Sequence, residues 1–252
     1  MDINRIGLIG YGKIGRALAA HARELGLEVA FAQDPVAQAD DVKVVAGPDT
    51  ELYEGVDLVI ECATRGALAE SLGLVLERTN LLCFSLTAFS DDALLAQAKE
   101  ASQASGHSVF VPHGAILGLD GIRDGRQAIE EVSITTTKSP KSLGLNPAGY
   151  TEPTVVFEGS TRDACAAFPR NVNVHAAIAL AGIGFDRTRS KVVADPSVST
   201  NTHRIVINGN GLAWDMTISS FAAGGVTGAY TPLSACGSLD RIVRTGGGFS
   251  FV

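Results

Sequence analysis

The segment Gly10-Tyr11-Gly12-Lys13-Ile14-Gly15 has the residue types and spacing with which a chain cradles a pyrophosphate. Each glycine has a separate physical job. Gly10 permits a tight turn, Gly12 lets the backbone approach phosphate oxygens, and Gly15 lets the next helix pack closely on its strand. Lys13 and Ile14 lie within that turn, and the helix after it offers free N–H groups and a positive dipole end to an anion. Asp34 follows just past the next apolar run. A carboxylate there accepts hydrogen bonds from adenosine ribose hydroxyls and repels a 2′-phosphate. Pro35 comes next, where an arginine would have bound such a phosphate. A nicotinamide dinucleotide is therefore expected, NAD ahead of NADP. With 28 glycines in 252 residues the glycine pattern alone arises easily by chance. Its place between a strand and a helix gives it weight.

Chemistry on such a cofactor needs a proton-transfer group and, for an acidic substrate, a cation. The chain has 5 histidines. His21 and His107 read as surface residues, and His175, on an apolar helix, as a satisfied core histidine. His203 ends the polar run from Asp195 to Thr202 and opens a strand. Loops carried by a rigid scaffold commonly display catalytic groups, so His203 is a candidate for proton transfer. His113, in Pro112-His113-Gly114-Ala115-Ile116, is a second candidate, at an expected domain junction. Lys138 ends an apolar-polar run and Lys141 follows in a loop. Either could hold a carboxylate as a point charge; the alternative for both is a solvated lysine.

The elements that must position these groups are legible in outline. Arg5 to Gly10 reads as a buried strand, Ala17 to Leu25 as an amphipathic helix, and Leu27 to Ala32 as the next strand. Alternation continues with strands at Leu58–Ala63, Asn80–Ser85 and Ser108–Val111, and helices at Ala67–Glu77 and Asp91–Ser105. Strands separated by helices of this length predict right-handed crossovers and a parallel sheet. From Glu130 the texture changes to alternating runs: Val132–Thr137, Thr154–Phe157, Arg189–Ala194, His203–Asn208 and Leu212–Ser220. These predict antiparallel strands with one wetted face. Helices are predicted at Thr161–Phe168, Asn173–Ala181 and Thr231–Arg244, the last packing back on the first domain. The predicted class is α/β: a doubly wound Rossmann domain over 1–113, completed by a helix over 231–244, and an α+β domain over 114–230 with a mainly antiparallel sheet. The cofactor is expected to meet its substrate at a cleft between the two. The tail Gly246-Gly247-Gly248 reads as flexible.

Composition narrows the class. A hydrophobic fraction of 46% with 19% charged residues is that of a globular protein with a sizeable core. A net charge of −7 argues against a nucleic-acid partner. No apolar run reaches the length of a membrane span, and no leader precedes the first strand, so a cytoplasmic location is expected. The 4 cysteines lie far apart with no C-x-x-C pair, which predicts reduced thiols and no metal site.

Taken together, these segments resemble the L-aspartate dehydrogenases, which share a dihydrodipicolinate-reductase-like architecture. The resemblance is carried by the glycine turn, Glu61-Cys62-Ala63, and Pro112 to Asp120. Thr137 to Leu145, Phe157 to Ser160, Phe168 to Val174, Ala194-Asp195-Pro196 and Asn201-Thr202-His203 carry it further. It spans Ile6 to about Ile242. It implies NAD- or NADP-dependent oxidation of L-aspartate to an imine, which water converts to oxaloacetate and ammonia. It implies His203 as the catalytic histidine and Ala115 and Asn173 as cofactor contacts near the nicotinamide. Lys138, with His113 and Asn201, is assigned to the substrate. Family members tend to form dimers or larger assemblies, so a homodimer is expected. The chain departs from the family in having His113 where serine is common. It also has Gly224–Tyr230 where an Asn-Pro pair is usual, and Leu86-Thr87-Ala88-Phe89 where glycine or serine often stands. Two alternatives remain: an oxidoreductase of the same fold acting on another amino, imino or hydroxy acid, and a dinucleotide-binding redox sensor without turnover.

Overall fold

The computed structural model describes residues 2–221 and 228–243. The chain divides into two compact units, Met1–Gly114 with the chain from Pro232 onward, and Ala115–Thr231. The Gly246–Gly248 tail and most of the Gly224–Tyr230 segment lie outside the described residues.

In the first unit, β1 (Arg5–Ile9), β2 (Glu28–Gln33), β3 (Val44–Val45), β4 (Leu58–Glu61), β5 (Asn80–Cys83) and β6 (Val109–Phe110) form one sheet. Their order is β3-β2-β1-β4-β5-β6, and every pair is parallel. The chain starts at the centre, winds out to one edge, returns, and winds to the other. This is the doubly wound Rossmann topology. Its helices are α1 (Lys13–Glu24), α2 (Thr50–Glu54), α3 (Arg65–Leu76) and α4 (Asp92–Ser105). β4 is buried at every residue, so Leu58 to Ile60 read as an apolar run rather than an alternation, with the buried Glu61 at its end. The short β3 and α2 lack enough residues to show a period, which is why sequence periodicity passes over them. α1 begins at Lys13, four residues before the first strongly periodic position, because its opening turn is the glycine segment itself.

The second unit contains α5 (Leu119–Gly125), β7 (Ile129–Lys138), α6 (Pro140–Leu143), β8 (Thr154–Ser160), α7 (Thr161–Ala167), α8 (Asn173–Ala181), β9 (Arg189–Ala194), β10 (Thr200–Gly209) and β11 (Leu212–Phe221). The sheet order is β11-β10-β7-β9-β8. Three of its four pairings are antiparallel, and β7 with β9 is parallel. The parallel pair arises because β8, α7 and α8 form the connection between its two strands. From Val132 to Lys138 of β7 and from Thr200 to Asn208 of β10 the residues alternate between a buried and a wetted face, and an irregularity at Glu130-Glu131 breaks the alternation at the start of β7. The buried face carries Ile129, Val132, Ile134, Thr136 and Lys138 of β7, and Asn201, His203, Ile205 and Ile207 of β10. The buried face is thus apolar at one end of the strands and polar at the other.

A final helix, α9 (Tyr230–Val243), belongs to the core of the first unit. Ala235, Leu239 and Ile242 are buried in the cluster built on Ile6, Leu8, Leu18 and Leu58. His21 of α1 reaches α9 through Nε2 to Asp240 Oδ1 at 2.9 Å, so it ties two helices together rather than standing in solvent. Leu239 has no exposed surface. Leu239→Ala is therefore expected to lower the stability of the first unit by about 2–5 kcal/mol. Urea unfolding followed by circular dichroism measures this, and a loss under about 0.5 kcal/mol would show that α9 adds nothing to that core.

Candidate active site

The glycine turn is built for close approach. Gly10 has φ +96°, and a Cβ there would meet Ala63 and Cys62 backbone at 2.9 Å. A Cβ on Gly15 would lie 2.2 Å from the Gly10 carbonyl oxygen. Both positions are therefore confined to glycine by the backbone's own packing. Gly12 differs: a Cβ there would meet nothing within 4 Å. No packing within the protein explains that glycine, and the space beside it is what a phosphate group needs. Gly12 also caps α1 without a side-chain hydrogen bond, and no acid lies in the first turn that Lys13, Ile14 and Gly15 open. The positive end of the helix is left uncompensated by its own sequence.

Asp34 stands past β2, and its carboxylate is already at work. Oδ2 accepts from Tyr11 N–H at 2.9 Å. Oδ1 accepts from Val36 N–H at 3.0 Å and Ala37 N–H at 2.9 Å. Burial raises its pKa, but these three bonds and the nearby Arg16 charge outweigh it and hold the carboxyl below its ordinary range. Asp34 thus staples the glycine turn to the loop after β2. An ionised carboxylate has roughly four acceptor positions. Three are filled, which leaves room for one further donor on Oδ2.

The second unit brings several of the named groups together at the polar end of its sheet. His203 does not open its strand, which begins three residues earlier at Thr200. It lies inside β10, buried, and pairs directly with Thr136 of β7. The polar run before it enters the sheet at Thr200, because Thr200 pairs with Phe221 and Thr202 with Thr137. Thr136 Oγ1 is 2.8 Å from His203 Nδ1 and 2.6 Å from His175 Nε2. His175 projects from α8, fully buried, and its Nδ1 is 2.8 Å from Ser190 Oγ. Ser190 Oγ in turn is 2.7 Å from Thr161 Oγ1. His175 is thus a satisfied core histidine that shares a hydroxyl with His203. Sequence reasoning missed Thr136, Ser190 and Thr161 as parts of the site, since a threonine facing inward from a strand carries no local signal.

Lys138 ends β7 on the same buried face, only 4% exposed. Its Nζ is 3.5 Å from the Asn171 carbonyl oxygen. Burial lowers its pKa from 10.5 to about 8. The solvated alternative is therefore excluded for Lys138, whereas Lys141, on α6, is exposed. Burial first, and the Lys138 charge second, push His175 down to about 3. The same causes, with His175 added, push His203 well below 6.5. Both imidazoles are neutral near pH 7. Asn201 lies two residues before His203 on the same face of β10, buried at 4% exposure. Asn171 Oδ1 is buried with no hydrogen-bond partner among the described residues. A donor from a bound molecule would relieve the cost of that orphaned acceptor, about 1–3 kcal/mol. Asn173 opens α8, half-buried, and Ala115 opens the second unit. His113 is half-buried near the end of the first unit, beyond β6.

Among the described residues, no group of His, Cys, Asp or Glu side chains could hold a metal ion. No helix among them is long and apolar enough to cross a membrane. All four cysteines are free.

Residues 6–112 match the NAD-binding domain of the homoserine dehydrogenase type, and residues 120–242 match the aspartate dehydrogenase C-terminal domain. L-aspartate dehydrogenase 1 of Bordetella pertussis is 34% identical over 212 residues, covering 81% of this chain and 82% of the relative. The L-aspartate dehydrogenase of Methanosarcina acetivorans is 31% identical, covering 95% of this chain and 97% of the relative. The crystal structure of aspartate dehydrogenase from Thermotoga maritima superposes with a TM-score of 0.81 at 29% identity, over 100% of both chains. A more distant likeness, to the WlbA dehydrogenase of Thermus thermophilus at 12% identity and TM-score 0.52, shows the fold alone. With a nucleotide-binding sheet, a buried histidine pair and relatives aligned along most of its length, this chain is an oxidoreductase belonging to the L-aspartate dehydrogenase family.

Proposed function

We propose that this protein catalyses the reversible oxidative deamination of L-aspartate to oxaloacetate and ammonia through an iminoaspartate, with His203 as general acid and base. The observation that carries the proposal is the burial of a neutral imidazole, His203, and a cation, Lys138, on one face of the sheet at its polar end. The glycine turn, the uncompensated start of α1 and the remaining acceptor position of Asp34 fit a dinucleotide. Gly10, Gly12, Lys13, Ile14, Gly15 and Asp34 would hold its adenosine and phosphates, and Ala115 and Asn173 the nicotinamide end. NAD is preferred over NADP because the Asp34 carboxylate is ionised, and Pro35 supplies no cation for a 2′-phosphate. When bound, the nicotinamide supplies the acceptor for the hydride that leaves Cα.

The chain's own residues do the rest. His203 Nε2 takes the proton that the amine nitrogen gives up as the C=N bond forms. It gives that proton back to the imine nitrogen, draws another from the water that then adds to the imine carbon, and passes this one to the nitrogen that departs as ammonia while the carbinol hydroxyl proton returns to the ring. Lys138 holds a substrate carboxylate, and Asn201 and His113 are assigned to the same substrate. Binding also retunes the base. A carboxylate beside Lys138 offsets the charge that depresses His203, so substrate raises the imidazole pKa toward the range where a base works well. The free thiols fit a reducing cytoplasm, and a homodimer is proposed from the family's tendency.

Three measurements test this reading. The chain should consume NADH with oxaloacetate plus ammonium, and His203→Ala should lower turnover by roughly 10²–10⁴ with NAD affinity near wild type. NADH binding without such consumption would favour the redox-sensor alternative, and full activity in the variant would remove His203 from the mechanism. Asp34→Ser should weaken NAD and narrow its advantage over NADP, while also loosening the Tyr11 and Ala37 backbone it anchors. An unchanged NAD/NADP ratio would show that Asp34 does not read the ribose.

The third test is pH-dependent stability. Lys138 sheds its proton near pH 8 when folded and near 10.5 when unfolded. Between those values the unfolded state binds more protons, so stability rises with pH, by about 3 kcal/mol in total. Lys138→Met should flatten that rise and raise KM for the dicarboxylate. A pH slope in urea midpoints that survives the substitution would show that Lys138 is not the buried cation.

A further inference from the structure

We infer that a one-way hydrogen-bond chain, running from the Thr188 carbonyl through Thr161, Ser190, His175 and Thr136, fixes the tautomer of His203 with its proton on Nδ1 and its lone pair on Nε2. The inference rests on His203 being the proton-transfer group, and it adds what makes that nitrogen available.

The direction follows from counting protons. A carbonyl oxygen only accepts, so the Thr161 hydroxyl, 3.1 Å from the Thr188 carbonyl oxygen, donates to it. That uses the one proton Thr161 Oγ1 has. The 2.7 Å contact between Thr161 and Ser190 must then be carried by the Ser190 proton. Ser190 has none left for His175, so the 2.8 Å bond between them is donated by His175 Nδ1–H. His175 is neutral, so its Nε2 bears no proton and accepts from Thr136 at 2.6 Å. Thr136 in turn has nothing left to give, and His203 Nδ1–H donates to it at 2.8 Å. His203 Nε2 is left bare, and it makes no hydrogen bond among the described residues.

Every member of the chain is buried. Thr136, Thr161, Thr188 and His175 have no exposed surface, Ser190 has 1% and His203 has 2%. Water is therefore not at hand to satisfy a reversed link, and a donor facing a donor in such a place costs free energy. Free histidine in water favours the opposite tautomer, with the proton on Nε2. The chain thus holds His203 in the form that solution disfavours and that a base requires. Thr136, His175, Ser190 and Thr161 are positioning residues: none is assigned contact with substrate or cofactor.

The test is the ring-nitrogen ¹⁵N spectrum of the histidine-labelled full chain near neutral pH, read by long-range ¹H–¹⁵N correlations. His203 is expected to carry its proton on Nδ1. Ser190→Ala removes the acceptor for His175 Nδ1–H, so His175 should switch its proton to Nε2. Thr136 then turns to donate to His203 Nδ1, and His203 should move its proton to Nε2, two links from the altered residue. Turnover should fall about tenfold or more with NAD affinity unchanged. Thr136→Ser keeps the hydroxyl and should retain the wild-type tautomer. A wild-type His203 protonated on Nε2, a finding that needs no variant, overturns the inference, as does an unmoved His203 tautomer in a folded Ser190→Ala. If the tautomer behaves as stated while His203→Ala keeps full activity, the hydrogen-bond chain stands and the catalytic reading of His203 falls.

Discussion

The constraint on which the second unit depends is that a polar group buried in a sheet must find its partner within the sheet or its covering helix. His203 and Thr136 face each other across β10 and β7, and α8 lays His175 over the same hydroxyl. Move β10 by one residue and His203 turns to the wetted face, because side chains alternate strictly along a strand. Ile205 and Ile207 would turn out with it. The apolar half of the strand therefore fixes the register that places the polar half. Stability and site geometry are enforced by the same alternation, and the cost of burying three ionisable groups is carried by the isoleucines beside them.

A second consequence concerns charge. Two neutral imidazoles and one buried cation occupy the polar end of the face. Among the described residues, Lys138 Nζ meets a carbonyl oxygen at 3.5 Å and no carboxylate. A cation held that way is poised for an anion from outside. The glycine turn of the first unit shows a parallel logic with the sign arranged by backbone rather than side chain. The start of α1 has no side-chain cap hydrogen bond and no acid, while Asp34 spends three of its acceptor positions tying the turn in place. In each unit, the electrostatics within the protein are incomplete at the place where a ligand group would complete them.

How much of this could be read from the chain depends on the range of the signal. The strand–turn–helix–strand order around Gly10 is local, and so is the texture change near Glu130, and both gave the fold class correctly. α8 was placed residue for residue at Asn173–Ala181 because a run that apolar has only one way to be buried. Local signals fail for β3, α2, α5 and α6, which are too short for a period to show. They also fail for the parallel β7–β9 pair, since pairing partners depend on the path of the intervening chain. Lys138 was legible as a candidate cation, yet nothing in its neighbours' identities tells a buried strand end from an exposed loop. His203 is legible as a candidate, but as the first residue of its strand rather than the fourth. Asn201 and Thr202 look like turn formers, and only the cross-strand partners Ser220 and Ser219 make them strand. Thr136, Ser190 and Thr161 carried no signal at all, because a hydroxyl's role is set by what lies across the sheet.

That last failure has a physical meaning. Serine and threonine are small, neutral and both donor and acceptor, so a fold can bury them with little commitment. What they acquire on folding is direction. One carbonyl that only accepts, placed at the end of a line of hydroxyls and neutral rings, orders every proton along that line. Such a line lets residues remote from the reaction decide which nitrogen of an imidazole is basic, without moving any atom of the reacting group. A site built on paired strands keeps those distances short and constant, which loops of equal sequence would not. The placement of His203 within β10, rather than before it, is therefore what allows its ring to be oriented by residues on β7, α8, β9 and α7 at once.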